Sequence, residues 1–177
     1  MTDASDRAIV LRPLTDADRQ SIARWRYPGD LAIYDPGPGA FDLRAPDHVA
    51  LASDGDLVGY ATLGTDAQVP GGDYGDSPGV LDVGLGIRPD LVGAGLGRRA
   101  LTALLREPLG RRVERFRVTV AAANPRATAL VVRLGFEATH RFQRPSDGRA
   151  FVQYEREAPS PAHAAETEST VVATSAK

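Results

Sequence analysis

Three glycines separated by single residues, Gly93-Ala94-Gly95-Leu96-Gly97, are the part of this sequence best suited to chemistry. Without side chains in the way, backbone N–H groups there can converge on an anion, and a helix opening at the same point adds partial positive charge. Arg98 and Arg99 follow directly and can contribute charge-assisted contacts. A pyrophosphate suits such a turn, being large, dianionic and approached closely only where side chains are missing. The spacing is not the dinucleotide fingerprint G-x-G-x-x-G, and the lysine of a phosphate-binding P-loop is missing. ATP and NAD are therefore disfavoured. Read locally, the run is equally well an anion cradle or a tight strand-to-helix connection whose glycines serve packing.

Other chemistries are closed off by composition. The 177 residues include no cysteine, which removes disulfides, thiolate metal sites and a cysteine nucleophile. His48, His140 and His163 are far apart with no ligand spacing, so no metal is expected. A formal net charge of −2 supplies no basic field for nucleic acid or an anionic membrane surface. No apolar run approaches the ~20 residues of a membrane span, and the opening MTDASDRA lacks the regions of a signal peptide. A cytoplasmic location is expected. Basic residues are almost all arginine, Lys177 being the one lysine, which reflects genomic base composition rather than function.

The elements that would position the turn can be traced along the chain. Ile9 to Leu14 reads as a strand, and Thr15-Asp16-Ala17-Asp18 as a capping box with aspartate in place of glutamate. The helix it opens turns Ile22 and Trp25 inward and stops at Pro28-Gly29; a helical turn over Asp30–Tyr34 precedes the loop Pro36-Gly37-Pro38-Gly39. His48–Ser53 and Leu57–Thr65 form a hairpin around Asp54-Gly55-Asp56, and Gln68–Gly79 is a long mobile loop. In the strand Val80–Arg88, Leu81, Val83, Leu85 and Ile87 share an apolar face. Asp82, Gly84 and Gly86 leave the other face nearly bare, as if something lies close to the backbone.

Beyond the glycine turn, a helix over about Leu96–Arg106 presents Leu101, Leu104 and Leu105, and ends at Glu107-Pro108 and Gly110. Phe116–Ala121 is a strand, Pro125–Leu134 a helix closed by Gly135, and Phe136–Phe142 with Ala150–Arg156 a last hairpin. Residues 158–177 carry too few large apolar side chains to offset their ordering entropy and are expected to be disordered. The expectation is one mixed α/β sheet domain over residues 1–157.

Leu81-Asp82-Val83-Gly84-Leu85-Gly86-Ile87, the glycine turn, and Val118–Ala127 leading to Leu134-Gly135-Phe136 together resemble the GNAT superfamily of acyl-CoA-dependent N-acyltransferases. Leu11-Arg12-Pro13-Leu14-Thr15 is similar to that superfamily's opening strand and helix. The likeness runs from about Ala8 to Glu157. It implies a mostly antiparallel sheet flanked by helices, whose fourth strand carries a bulge and splays from the fifth. Acetyl-CoA would enter that splay as cosubstrate, its pantetheine arm acting as an extra strand beside Gly84 and Gly86. The Leu85 N–H would polarise the thioester carbonyl, and amides from Val92 through Gly97 would take the pyrophosphate. The implied cofactor set is Leu85, Ile87, Val92, Gly93, Ala94, Gly95, Leu96, Gly97, Arg98, Asn124 and Arg126.

The same resemblance implies transfer of an acetyl group to a primary amine by direct attack in a ternary complex. Asp82 would be the general base, against the plainer reading of a hydrogen-bonded strand aspartate. Tyr27, Tyr34 and Tyr74 would line the acceptor side, while Trp25 reads as core and His140 as a surface histidine. Two positions depart from the family pattern. Val92 stands where glutamine or arginine is usual, and Val131 where a tyrosine usually protonates the leaving thiolate. The second departure motivates an alternative, a catalytically weak acyl-CoA-binding sensor. Many relatives form homodimers, but no exposed apolar stripe marks such an interface here.

Overall fold

In the computed structural model, residues 8–36, 47–75, 78–106 and 112–159 are described. Strands β1 (Val10–Pro13), β2 (His48–Ser53), β3 (Asp56–Leu63), β4 (Val80–Ile87), β5 (Arg115–Ala121), β6 (Glu137–Gln143) and β7 (Ala150–Glu157) form one sheet. Its order is β1-β2-β3-β4-β5-β7-β6, and only β4 and β5 run parallel. Helices α1 (Asp16–Ala23), α2 (Leu96–Arg106) and α3 (Pro125–Arg133) connect them. Short 3-10 segments cover Gly29–Tyr34, Gly64–Ala67 and Pro89–Leu91.

Local signals in the sequence account for the boundaries. At α1, the Thr15 hydroxyl accepts from the Asp18 N–H at 3.2 Å and the Asp18 carboxylate accepts from the Thr15 N–H at 2.8 Å. The capping box is complete with an aspartate because Arg12 supports that carboxylate from β1, at 2.5 and 3.1 Å. The β2–β3 turn places Asp54 and Gly55 at φ +52° and +87°, the two left-handed residues of a twisted hairpin turn. Helix α3 ends with Gly135 at φ +79°, the Phe136 N–H donating to the Val131 carbonyl and the Gly135 N–H to that of Val132. Strand β3 stops at Leu63, two residues earlier than its hydropathy suggests, because Gly64 turns to φ +63°.

Two larger cores lie on opposite faces of the sheet, and Ala121, Phe142 and Phe151 form a third, smaller cluster. Leu81 and Val83 pack with Leu101 and Leu104 of α2 and Val131 of α3 on one side. Ile22, Trp25 and Tyr27 form the other, with Leu31, Tyr34 and Tyr60 against it. Ala158 continues beyond β7, packing on the first core and donating its N–H to the Glu114 carbonyl at 2.8 Å. Ala158 and Pro159 thus lie among the described residues, while the rest of the expected disordered tail, Gly37–Gly39 of the Pro-Gly loop and the helix stop at Glu107–Gly110 lie outside them.

The feature that creates a site is where two strands part. β4 and β5 are in register at Val80↔Arg115, Leu81↔Phe116 and Asp82↔Arg117, and there the pairing ends. β4 nonetheless continues to Ile87, held to β3 in unbroken register from Leu63↔Val83 to Gly59↔Ile87. β5 likewise follows β7 as far as Ala121↔Phe151. Each strand stays with its antiparallel partner, and the two halves of the sheet diverge. The expected bulge in β4 is not part of this: its ladder with β3 has no shift.

Candidate active site

The divergence opens a cavity of about 610 Å³. Its walls are Gly84–Ile87 of β4, the glycine turn, Val118–Val120 of β5 and residues of α3, with Tyr27, Leu31, Tyr34 and Tyr60 completing the lining. Which backbone groups face it follows from the ladders. The Arg88 N–H donates to the Val58 carbonyl, and the Leu63 N–H to Asp47 on the β2 side. In an antiparallel pair these directions alternate, so Gly84 and Gly86 bond β3, and Leu85 and Ile87 point their N–H and C=O groups into the gap. On β5, the Ala122 N–H bonds the Ala150 carbonyl, which turns the backbone of Thr119 and Ala121 towards the same gap. One gap-facing group is already engaged: the Tyr27 hydroxyl donates to the Ile87 carbonyl at 2.8 Å. Burial and the neighbouring Tyr60 and Asp35 push the Tyr27 phenol up.

At the far end, Gly93 and Gly95 adopt φ +98° and +77°, so the turn needs glycine at both positions. The Val92 and Ala94 amides are used inside the turn, donating to Pro89 and Leu91 carbonyls at 3.4 and 3.2 Å. The amides left over in the turn are consequently fewer than Val92 through Gly97: those of Gly93, Gly95 and the first of α2, at Leu96, Gly97 and Arg98, which by position have no partner within the helix. Gly97 serves packing as well, since a Cβ there would stand 3.4 Å from Leu130 of α3. Arg98, Arg126 and Arg133 all line the cavity, and none forms an ion pair with another described residue. The Arg126 guanidinium lies beside Gly93, 3.9 Å from where a Cβ would sit.

Nine of the eleven expected cofactor residues line this one cavity; Ala94 and Leu96 do not. The Leu96 side chain is instead buried in the core. Asn124 is committed on both ends of its amide: Oδ1 accepts from the Ala127 N–H at 3.0 Å, capping α3, and Nδ2 donates to the Tyr34 hydroxyl at 3.2 Å. Val131 is buried, its side chain between the core and the cavity wall.

Gly84 and Gly86 have an explanation that their own strand does not contain. A Cβ on Gly86 would stand 2.2 Å from the Tyr60 ring, and one on Gly84 2.4 Å from the Thr62 hydroxyl. The bare face of β4 is filled by side chains of β3.

Asp82 sits at the vertex of the splay, 5% exposed. Its carboxylate accepts from Arg117 Nε at 2.6 Å, from Arg117 Nη2 at 3.0 Å and from Gln68 Nε2 at 2.8 Å. Three of its roughly four acceptor sites are thus taken by its own neighbours. The Asp82 carboxylate in turn raises the Arg117 pKa. Arg117 also donates to the Tyr74 carbonyl at 3.2 Å and stacks 4.8 Å from the Tyr74 ring centre. The Tyr74 hydroxyl accepts from the Val69 N–H at 2.7 Å and lies 3.1 Å from the Thr119 hydroxyl on the cavity wall. The Gln153 amide holds the neighbouring Asp73 carbonyl at 2.9 Å. The loop read from sequence as mobile is thus tied down over residues 68–74. Tyr74 reaches the cavity through Thr119, and neither Tyr74 nor Asp82 lines it.

Arg117, Gln68, Tyr60, Thr119 and Arg133 are the residues that sequence reading missed. Arg117 carried a signal: it is the one charge in the run Phe116–Ala121, opposite the one charge of β4. His140 stands on β6, with two strands between it and β4, stacked 6.0 Å from Phe142. Among the described residues no cluster of acidic or histidine side chains could hold a metal, and no helix is long and apolar enough to cross a membrane.

Residues 16–136 match the model of the acetyltransferase (GNAT) family. The chain belongs to that family, whose acyl donor is acetyl-CoA. No curated protein matches the sequence. Solved structures share the fold at low identity. A GNAT-family acetyltransferase from Bacillus anthracis is 13% identical with a TM-score of 0.66, over 85% of this chain and 95% of that one. The yncA protein of Salmonella typhimurium, solved with its cofactor acetyl-CoA, is 15% identical with a TM-score of 0.60, over 86% and 95%. AAC(6')-Ib, solved with ribostamycin and coenzyme A, is 18% identical with a TM-score of 0.64, over 85% and 93%.

Proposed function

We propose that this protein moves an acetyl group from acetyl-CoA to a primary amine by direct attack in a ternary complex. The observation that carries the reading is the parting of β4 from β5 after Asp82↔Arg117, opening directly onto the amides and arginines of the glycine turn. An extended pantetheine arm can pair with β4 through the Leu85 N–H and C=O and the Ile87 N–H, the Ile87 carbonyl being held by Tyr27. The Leu85 N–H then stands where charge develops on the thioester oxygen, and a preorganised donor there stabilises the tetrahedral intermediate. The pyrophosphate lies on the amides of Gly93, Gly95 and the start of α2, with Arg98 and Arg126 adding charge-assisted bonds. Asn124 borders the arm.

On the acceptor side, Tyr34 and Tyr27 close the mouth, and Tyr74 backs Thr119. We assign Asp82 an anchoring role in place of the expected base: with Arg117 and Gln68 it fixes the loop that walls the acceptor space. Most of the rate then comes from positioning and carbonyl polarisation, and the amine loses its proton to solvent. The test is a thermal-shift comparison of CoA, ATP and NAD followed by an acetyl-transfer assay over a panel of primary amines. Stabilisation by CoA alone, with free CoA released in the presence of an amine, supports the reading; preference for ATP or NAD defeats it.

A further inference from the structure

A thioester that loses its thiol to an amine needs a proton on sulfur, and the cavity offers few groups that can give one. Its described lining contains no aspartate, glutamate, histidine or lysine; the titratable side chains are arginines and the phenols of Tyr27, Tyr34 and Tyr60. Arginine does not give up its proton in proteins. The Tyr27 proton is spent on the Ile87 carbonyl. Tyr60 is buried against Gly86, and burial pushes its phenol up to about 12, away from proton donation.

Tyr34 differs because of what Asn124 does. The Asn124 amide cannot be turned around: its oxygen is fixed by capping the Ala127 N–H, so its nitrogen is the end that meets Tyr34. An amide nitrogen only donates, so the Tyr34 oxygen is the acceptor in that bond and its own proton is left for another partner. We propose that Tyr34 is the proton donor to the departing thiolate and that Asn124 is the positioning residue that keeps its proton available. This inference rests on the acetyl-transfer reading of the cavity.

The amine nitrogen bonds to the thioester carbon, whose π electrons move to oxygen. The carbonyl re-forms, the C–S bond breaks with its pair on sulfur, and the Tyr34 O–H proton passes to that sulfur. The nitrogen loses one proton to water, and water returns one to the Tyr34 phenolate. Amine and acetyl-CoA become amide and coenzyme A thiol.

Two variants test it in the full-length protein. Tyr34→Phe removes only the hydroxyl. Asn124→Asp keeps the helix cap, since a carboxylate oxygen still accepts from Ala127, but reverses the bond to Tyr34, so that the phenol donates and its proton is spent. Thiol release is read with a thiol reagent against a cysteine-free background, using acetyl-CoA and a panel containing an alkylamine, an arylalkylamine, spermidine, an aminoglycoside and a peptide N-terminus. Tyr34→Phe is expected to lower kcat at saturating acetyl-CoA about 100-fold, the low end of what a positioned general acid contributes, with Kd for acetyl-CoA within about twofold. Asn124→Asp is expected to lower kcat to a similar degree with Tm unchanged or raised. A wild-type protein that turns over an amine while Tyr34→Phe or Asn124→Asp keeps its kcat within about threefold overturns this inference alone, since a general acid contributes far more than that. A wild-type protein that binds acetyl-CoA but releases no thiol with any amine overturns the acetyl-transfer reading and this inference with it.

Discussion

Arg117→Met is the perturbation that most sharply separates an anchoring Asp82 from a catalytic one. Both side chains are nearly buried, 6% and 7% exposed, and two hydrogen bonds at 2.6 and 3.0 Å join them. Methionine matches the length of the arginine stem but carries no charge, so Asp82 is left buried with Gln68 as its remaining partner. Removing one member of a buried, hydrogen-bonded ion pair costs about 3–5 kcal/mol, mostly as the penalty of an uncompensated charge. The Tyr74 carbonyl and ring lose their cationic partner as well, which places the expectation in the upper part of that range. Asp82→Asn strands the arginine and is expected to cost a similar amount. The double variant, with no charge to bury, should recover a coupling energy of about 2–3 kcal/mol. Urea denaturation of the four proteins measures this. A loss below about 1 kcal/mol for Arg117→Met, or strict additivity of the two single effects, would refute the anchoring role.

Three further outcomes follow from the geometry. Arg126→Gln should weaken CoA binding by about 1.5–3 kcal/mol, roughly tenfold to a hundredfold, and flatten its salt dependence, as read by calorimetry at two ionic strengths. Gly95→Ala meets open space but forces a Cβ residue to φ +77°, so CoA affinity should fall with a stability loss of about 1–2 kcal/mol in denaturant titrations. Arg12 holds Asp18 well below its ordinary value, at about 2, with Thr15 assisting. The folded pKa is depressed, so the stabilisation is present above the unfolded value and lost as pH falls through about 2. Acid titration should show a loss of about 2 kcal/mol between pH 5 and pH 2 that Asp18→Asn does not show.

Much of the fold was legible because its signals are local. The alternation in Val80–Ile87, the capping box at Thr15, and Pro125 with Gly135 around α3 each declare an element within a few residues. The glycine turn was legible in the same way, since Gly93 and Gly95 carry the positive φ that their identity suggested. What stayed hidden depends on pairs far apart in the chain. Gly84 and Gly86 look like vacant backbone until Tyr60 and Thr62 arrive from the next strand. The hydrogen bonding of Asp82 cannot be read until Arg117, 35 residues later, reaches its carboxylate. Tyr27 reads as a substrate contact, yet its proton is spent on Ile87, 60 residues on. Function-bearing side chains here are polar groups near a cavity, and whether such a group is available or already bonded is decided by long-range register, not by local pattern.

The central claim is that the gap between Leu85–Ile87 and Val118–Val120 receives acetyl-CoA with its pyrophosphate on the glycine turn. A crystal structure with CoA tests it most directly. The pantetheine arm is expected hydrogen-bonded to the Leu85 backbone and the Ile87 N–H, and the pyrophosphate on the amides of Gly93, Gly95 and Leu96 through Arg98, beside Arg126. CoA bound elsewhere, or β4 and β5 paired without a break beyond Asp82↔Arg117, would contradict it.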